Sequence, residues 1–258
     1  MQIDIYQVDA FASRPFEGNP AAVCPLEKWL PDSLMQSIAL ENNLSETAFF
    51  VPEGDGYAIR WFTPLAEVDL CGHATLASAW VLFHRLDHAS GTVHFTSRSG
   101  PLTVSRQGDL LELDFPAQPP RPCPMPDGLA GALGAEPLEC LEFVDLVAVY
   151  DDPENVLQAA PDMAALAALD YRGIIITAPS AEHDFISRFF GPAVGVPEDP
   201  VTGSAHTKLT PYWAERLGKT QLKARQVSAR GGDLHCTLAG GRVLIAGQAV
   251  LFLQGTLE

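Results

Sequence analysis

Residues Glu198-Asp199-Pro200-Val201-Thr202-Gly203-Ser204-Ala205-His206 stand between a Gly/Pro-rich approach and a helical pattern. A proline disfavours helical backbone in the residue before it, so Asp199 is biased to an extended conformation. Gly203 allows close backbone approach, and Ser204 suits the N-cap of a helix running through Thr207 to Leu217. Unpaired N–H groups at such a helix start attract a carboxylate or phosphate. The plainer reading is a capped loop-to-helix junction with no ligand.

A second junction has the same design. Glu67-Val68-Asp69-Leu70-Cys71-Gly72-His73-Ala74-Thr75 follows a strand-like run, Tyr57 to Phe62, and leads into Ala74 to Phe83, which is apolar nearly all round apart from Thr75 and Ser78. A helix that is apolar on every face is normally buried. Gly72 and Gly203 lie about half the chain apart. This spacing suggests two similar lobes, each with a buried helix whose N-terminus faces a shared cleft, although the two halves have little sequence in common.

Asn43-Leu44-Ser45-Glu46-Thr47-Ala48-Phe49-Phe50-Val51 forms the third element. Leu34, Met35, Ile38 and Ala39 at helical spacing predict a helix over Asp32 to Asn42, and Thr47 to Val51 reads as a short strand. Glu46 then stands at the mouth of a strand beside apolar residues, where a partly desolvated carboxyl suits a general base near neutral pH. A solvated glutamate at a strand end is the simpler alternative.

The Pro-rich stretch from Phe115 to Met125 and Pro126 holds six prolines in twelve residues and divides the chain near its midpoint. Such a segment is stiff and continues neither a helix nor a central strand. It implies an N-terminal lobe over 1–116, a linker over 117–126 and a C-terminal lobe over 127–258. The first lobe has strands near 3–11, 47–51, 57–63, 92–97, 101–106 and 110–115. The second has strands near 142–150, 172–178, 184–190, 225–229, 234–239, 242–246 and 248–253, the last a candidate for pairing back onto the first lobe. Many short strands with few helices indicate an α+β fold rather than a parallel α/β sheet.

Composition sets the function classes. The 258 residues carry a net charge of −16, which disfavours nucleic acid and anionic membranes as partners. Local groups decide whether a small anion binds, and Arg60, Arg98, Lys208 and Arg230 are the cations to consider. Five scattered cysteines with no CxxC pair indicate neither a disulfide framework nor a zinc site, and a reducing cytoplasm is the simplest setting. The N-terminus alternates like a strand and lacks the pattern of a signal peptide. His84 and His88 read as helix-end residues, since no third metal ligand accompanies them. His206 either lines the site or packs on the first helical turn.

In this order and spacing, Gly18-Asn19-Pro20-Ala21-Ala22-Val23, Ser45-Glu46-Thr47, Cys71-Gly72-His73-Ala74-Thr75 and Glu198 to Ala205 resemble the successive motifs of the PhzF-like isomerase family of phenazine biosynthesis. The resemblance spans essentially the whole chain. It implies a diaminopimelate epimerase-like fold of two pseudo-symmetric lobes, each a curved, mostly antiparallel sheet around a central helix. It further implies cofactor-independent proton transfer, with Glu46 as the catalytic group assisted by His73 and Asp199. Ser204, with the backbone at Gly72, Ala74, Gly203 and Ala205, would bind a small-molecule carboxylate. No metal or cofactor is implied, and a homodimer is.

Cys71 lies where a diaminopimelate-epimerase-like racemase places one of two thiols. The second thiol position would fall at Asp199 or a near neighbour, where no cysteine stands. Two rival readings are an epimerase using Cys71 or Asp199 as second acid and a binding protein that keeps the pocket without turnover. For Cys71 the plain reading is a small buried hydrophobe.

Overall fold

A computed structural model describes residues 2–258. It divides into two units, one running up to Phe115 together with Ile245–Glu258, the other Pro116–Leu244. The architecture is mixed α+β, mostly sheet with few helices.

The first unit begins with β1 (Ile3–Ala10), β2 (Asn19–Pro25), α1 (Asp32–Asn42), β3 (Glu46–Glu53) and β4 (Gly56–Phe62). It continues with β5 (Glu67–Val68), α2 (Gly72–Arg85), β6 (Thr92–Ser97), β7 (Gly100–Gln107) and β8 (Leu110–Pro116). β1 and β2 are antiparallel, β2 and β3 parallel across α1, and β3 and β4 antiparallel. β5 pairs antiparallel with the end of β4, and β6 pairs parallel with its start. The chain between β5 and β6 is α2. β7 and β8 complete an antiparallel meander.

The second unit repeats this order. β9 (Arg121–Cys123), α3 (Leu129–Leu133), β10 (Glu139–Glu142) and β11 (Leu146–Val149) come first, then α4 (Glu154–Leu157), α5 (Met163–Ala167), β12 (Ile174–Pro179) and β13 (Phe185–Gly191). β14 (Val196–Asp199), α6 (Gly203–Leu217), β15 (Gln221–Gln226), β16 (Gly232–Ala239) and β17 (Arg242–Gly247) follow. β10 and β11 are antiparallel, β11 and β12 parallel across α4 and α5, and β12 and β13 antiparallel. β14 pairs antiparallel with the end of β13 and β15 pairs parallel with its start, so α6 leaves the sheet as α2 does. The repeat therefore lies in topology, where little remains in sequence. The last strand, β18 (Ala249–Leu257), pairs antiparallel with β1 and belongs to the first unit.

Each central helix is buried for a readable reason. His73 to Ala79 and Val81 to Phe83 of α2 are all shielded from solvent. Its two hydroxyls donate within the helix, Thr75 Oγ1 to the Cys71 carbonyl at 2.6 Å and Ser78 Oγ to the Ala74 carbonyl at 2.8 Å, so neither needs water. In α6, Pro211 removes one helical donor and leaves the Thr207 carbonyl without its usual partner. The Gln118 backbone N–H donates to that carbonyl at 3.0 Å. The Pro-rich stretch 117–126 is thus built into the second unit, with Arg121–Cys123 also paired to β10.

Several local expectations shift. The strand expected over 142–150 is two strands, β10 and β11, because Phe143 to Asp145 form a turn. Asn19–Pro25 is a strand although Pro20 weakens its pattern, and β15 lies at Gln221–Gln226 rather than 225–229. Ser204 is not the N-cap of α6. Thr202 holds that place with extended backbone, φ −114° and ψ 100°, and Ser204 falls in the first turn. Among the described residues no helix is long and apolar enough to cross a membrane.

Candidate functional site

In the first unit, α1 ends on Asn43 in left-handed backbone, and the chain turns directly into β3. Glu46 is the first residue of β3, paired in register with Ala21. α2 starts at Gly72 after Cys71, whose extended backbone has φ −145° and ψ 110°. This brings Glu46, Cys71 and His73 together. Glu46 Oε2 lies 3.2 Å from His73 Nε2, and Cys71 Sγ lies 3.5 Å from His73 Nδ1. Glu46 Oε2 and His73 Nε2 are buried yet out of line for a hydrogen bond, so neither has an aligned partner among the described residues. Buried polar atoms are nearly always hydrogen-bonded, and two that are not, facing each other, mark a site with work beyond folding.

Burial would lower the pKa of His73, but the negative charges of Cys71, when ionised, and Glu46 outweigh it and hold it well above 6.5. Burial, reinforced by Glu46, pushes the Cys71 thiol up to about 11. At neutral pH Cys71 is therefore a thiol, and Glu46 is the neighbouring charge that then favours a proton on His73. The three groups each offer one ligand atom within 4.8 Å of the others. Groups this close can also pass a proton from one to another.

In the second unit, Asp199 ends β14 and Gly203, Ser204 and Ala205 open α6. Thr202 Oγ1 donates to Asp199 Oδ2 at 2.5 Å. The buried Gln226 fixes both residues: its Oε1 accepts from the Thr202 backbone N–H at 2.8 Å, and its Nε2 donates to the Asp199 carbonyl at 2.7 Å and to Thr202 Oγ1 at 3.1 Å. By place in the repeat, Thr202 is the counterpart of Cys71 and Ser204 that of His73. The position corresponding to a second thiol is therefore Thr202, a near neighbour of Asp199.

His206 is fully buried on the Phe185 ring, and its Nδ1–H donates to the Thr202 carbonyl at 2.9 Å. Burial lowers its pKa from 6.5 to about 4, with the Thr202 bond opposing the shift. Between those values the unfolded chain takes up a proton that the folded chain refuses. Stability is thus complete above pH 6.5 and declines as pH falls towards 4, by about 3 kcal/mol for this one group. Urea unfolding followed across that range should show this decline in wild type and a flatter profile in His206→Phe. Equal slopes would remove His206 as the cause.

Of the candidate cations, Arg60 and Arg98 are committed to Glu67. Lys208 is 1% exposed and donates to Asp145 Oδ2, Gln118 Oε1 and the Ser204 carbonyl. Gln226, Asp145 and Arg172 escape sequence reasoning because nothing about a lone polar residue in a strand or turn signals its partners.

A family model described as phenazine biosynthesis-like protein, PhzC-PhzF, matches residues 8–255. A Pseudomonas aeruginosa protein named as an uncharacterized isomerase is 58% identical, with all of both chains covered. A crystal structure of a PhzF-family phenazine biosynthesis protein from Enterococcus faecalis superposes with a TM-score of 0.98 at 52% identity, again over all of both chains. A hydroxyproline epimerase from Agrobacterium vitis shares the fold, with a TM-score of 0.63 at 10% identity over 99% of this chain and 92% of that one.

Proposed function

The chain belongs to the phenazine biosynthesis-like PhzC-PhzF family, and from that premise we propose that it is an isomerase that moves a proton on a small carboxylate-bearing substrate by acid/base catalysis. The observation that carries the reading is the buried Glu46–His73 contact, in which two polar atoms 3.2 Å apart lack an aligned hydrogen bond. Glu46 takes a proton from a carbon activated by a neighbouring carboxyl, carbonyl or diene. It returns the proton at another position of the same conjugated system, so one base suffices. His73 beside it steadies the carboxylate and, when protonated, donates to charge that develops on the substrate. Asp199, oriented by Thr202 and Gln226, and Ser204 with the N–H group at Gly203 bind and orient the substrate, whereas the Ala205 N–H is already given to the Thr202 carbonyl at 3.2 Å.

Cys71, held protonated at neutral pH, is in the state that an epimerase's second acid needs, so the reaction itself separates the two readings. Mass-spectrometric deuterium uptake from D₂O into a panel of cyclic dienoic amino acids, α-amino acids and carboxylate analogues tests the proposal. Label at a carbon remote from the original C–H position supports isomerisation, whereas label with inversion at one α-carbon supports epimerisation. No label in any compound that binds would favour the binding-protein reading and defeat this one.

A further inference from the structure

Arg172 in the second unit stands close to the place in the topology that Glu46 takes in the first. Glu46 opens β3 at the mouth of the first unit's parallel pair, where it is partnered with Ala21. Leu146 and Ile174 open the corresponding parallel pair of the second unit, and Arg172 lies two residues ahead of Ile174. Each residue touches the second residue of its central helix: Glu46 Oε2 is 3.2 Å from His73 Nε2, and Arg172 Nη2 is 3.4 Å from Ser204 Oγ. Where one half carries an acid, the other carries a cation.

Arg172 is also held in place. Its Nε and Nη2 donate to Asp145 Oδ1 and Oδ2 at 2.8 and 2.6 Å, and Asp145 is fully buried. The neighbouring Gly173 fixes the backbone, because a Cβ there would meet the Phe189 ring at 2.2 Å. Lys208 reaches the same Asp145 at 3.1 Å. It also donates to Gln118 Oε1 and the Ser204 carbonyl, both at 3.0 Å, and these three acceptors match the three donors of a charged ammonium. Two cations therefore share one carboxylate, and the trio keeps a net positive charge. Its solvent-facing part is Arg172, whose side chain is 42% exposed. A chain of net charge −16 has placed a cluster with excess positive charge at the first turn of a 15-residue helix, where the backbone dipole adds to it. Phe143, 51% exposed on the adjoining turn and with its ring centre 6.0 Å from Lys208 Nζ, supplies an apolar wall.

We propose that Arg172, backed by Asp145 and Lys208, is the residue that selects anionic substrates by holding their carboxylate at Ser204. The inference deepens the isomerase reading and rests on it. Arginine suits this task because its five donors let it hold Asp145 through Nε and Nη2 and still present N–H groups of its outer end to a carboxylate.

Benzoate serves as the probe, a carboxylate on an apolar body, and benzamide as its uncharged counterpart. Titrations of the full chain followed by ligand-observed NMR should show benzoate bound well ahead of benzamide. Arg172→Gln should weaken benzoate by about 10- to 100-fold, as loss of a charged hydrogen-bonding partner does. Arg172→Lys, which keeps the charge and a partner for Asp145, should weaken it less and serves as the test if the Gln variant is poorly folded. Equal benzoate affinity in wild type and the Arg172 variants, equal binding of benzamide, or no benzoate binding by wild type would each overturn the proposal. Failure of the proton-transfer reading would appear differently, as absent deuterium uptake with benzoate binding intact.

Discussion

Glu46→Gln should lose about 10²–10⁴-fold in turnover on whichever substrate shows deuterium uptake, the usual contribution of a positioned general base. The amide keeps the size and shape of the carboxyl but cannot accept a proton at carbon-acid strength. Glu46 makes no aligned hydrogen bond through Oε2, so its replacement breaks no bond there that folding needs. The loss should therefore fall on turnover, with the urea midpoint close to wild type. The same change removes a charge that raises the His73 pKa, so the His73 titration, followed by NMR, should move down. Turnover within a few-fold of wild type would remove Glu46 from the chemistry. A collapse of stability alongside turnover would make it a folding residue instead.

Asp145→Ala should destabilise the second unit by about 3–5 kcal/mol, because removing one partner of a buried ion pair strands the other. Lys208 would be left 1% exposed with its ammonium facing only Gln118 and the Ser204 carbonyl. Arg172, being partly in water, would suffer less. Hydrogen exchange along α6 is the appropriate measure, since it reports this helix separately from the first unit. A double variant, Asp145→Leu with Lys208→Met, should recover most of the loss, as apolar replacements of buried pairs commonly do. A single variant that lost under about 1 kcal/mol would mean that water already reaches the pair.

Part of this site was legible before any coordinates. Cys71-Gly72-His73 and Asp199 to Ser204 each announce a strand running into a helix through glycine, and the all-apolar run after His73 identifies a buried helix. Glu46 stood out only through its place before a β-prone run. The partners were not legible. Cys71 touches His73 through helix geometry, two residues along, whereas Gln226 reaches Thr202 across 24 positions and Arg172 reaches Ser204 across 32. Such pairings come from sheet order, which a sequence pattern does not encode. Ser204 looked like a cap because serine is a good one. Thr202 takes that place because the chain is still extended there, with its hydroxyl turned back to Asp199.

The short strands that precede the two central helices are stapled alike. Arg60 grips Glu67 at 2.7 and 2.8 Å, and Arg188 grips Glu198 at 2.7 and 3.0 Å, each through Nε and Nη2. Each guanidinium also lies over the phenylalanine two residues on, Phe62 at 5.2 Å and Phe190 at 5.0 Å. β5 and β14, at two and four residues, are too short to hold themselves in register, so these clamps do it. Backbone left loose would have to be immobilised when a ligand arrives, at about 1–2 kcal/mol of conformational entropy per residue. Here that ordering is completed during folding. A ligand meets helix starts already rigid, and more of its interaction energy is left to appear as affinity or rate.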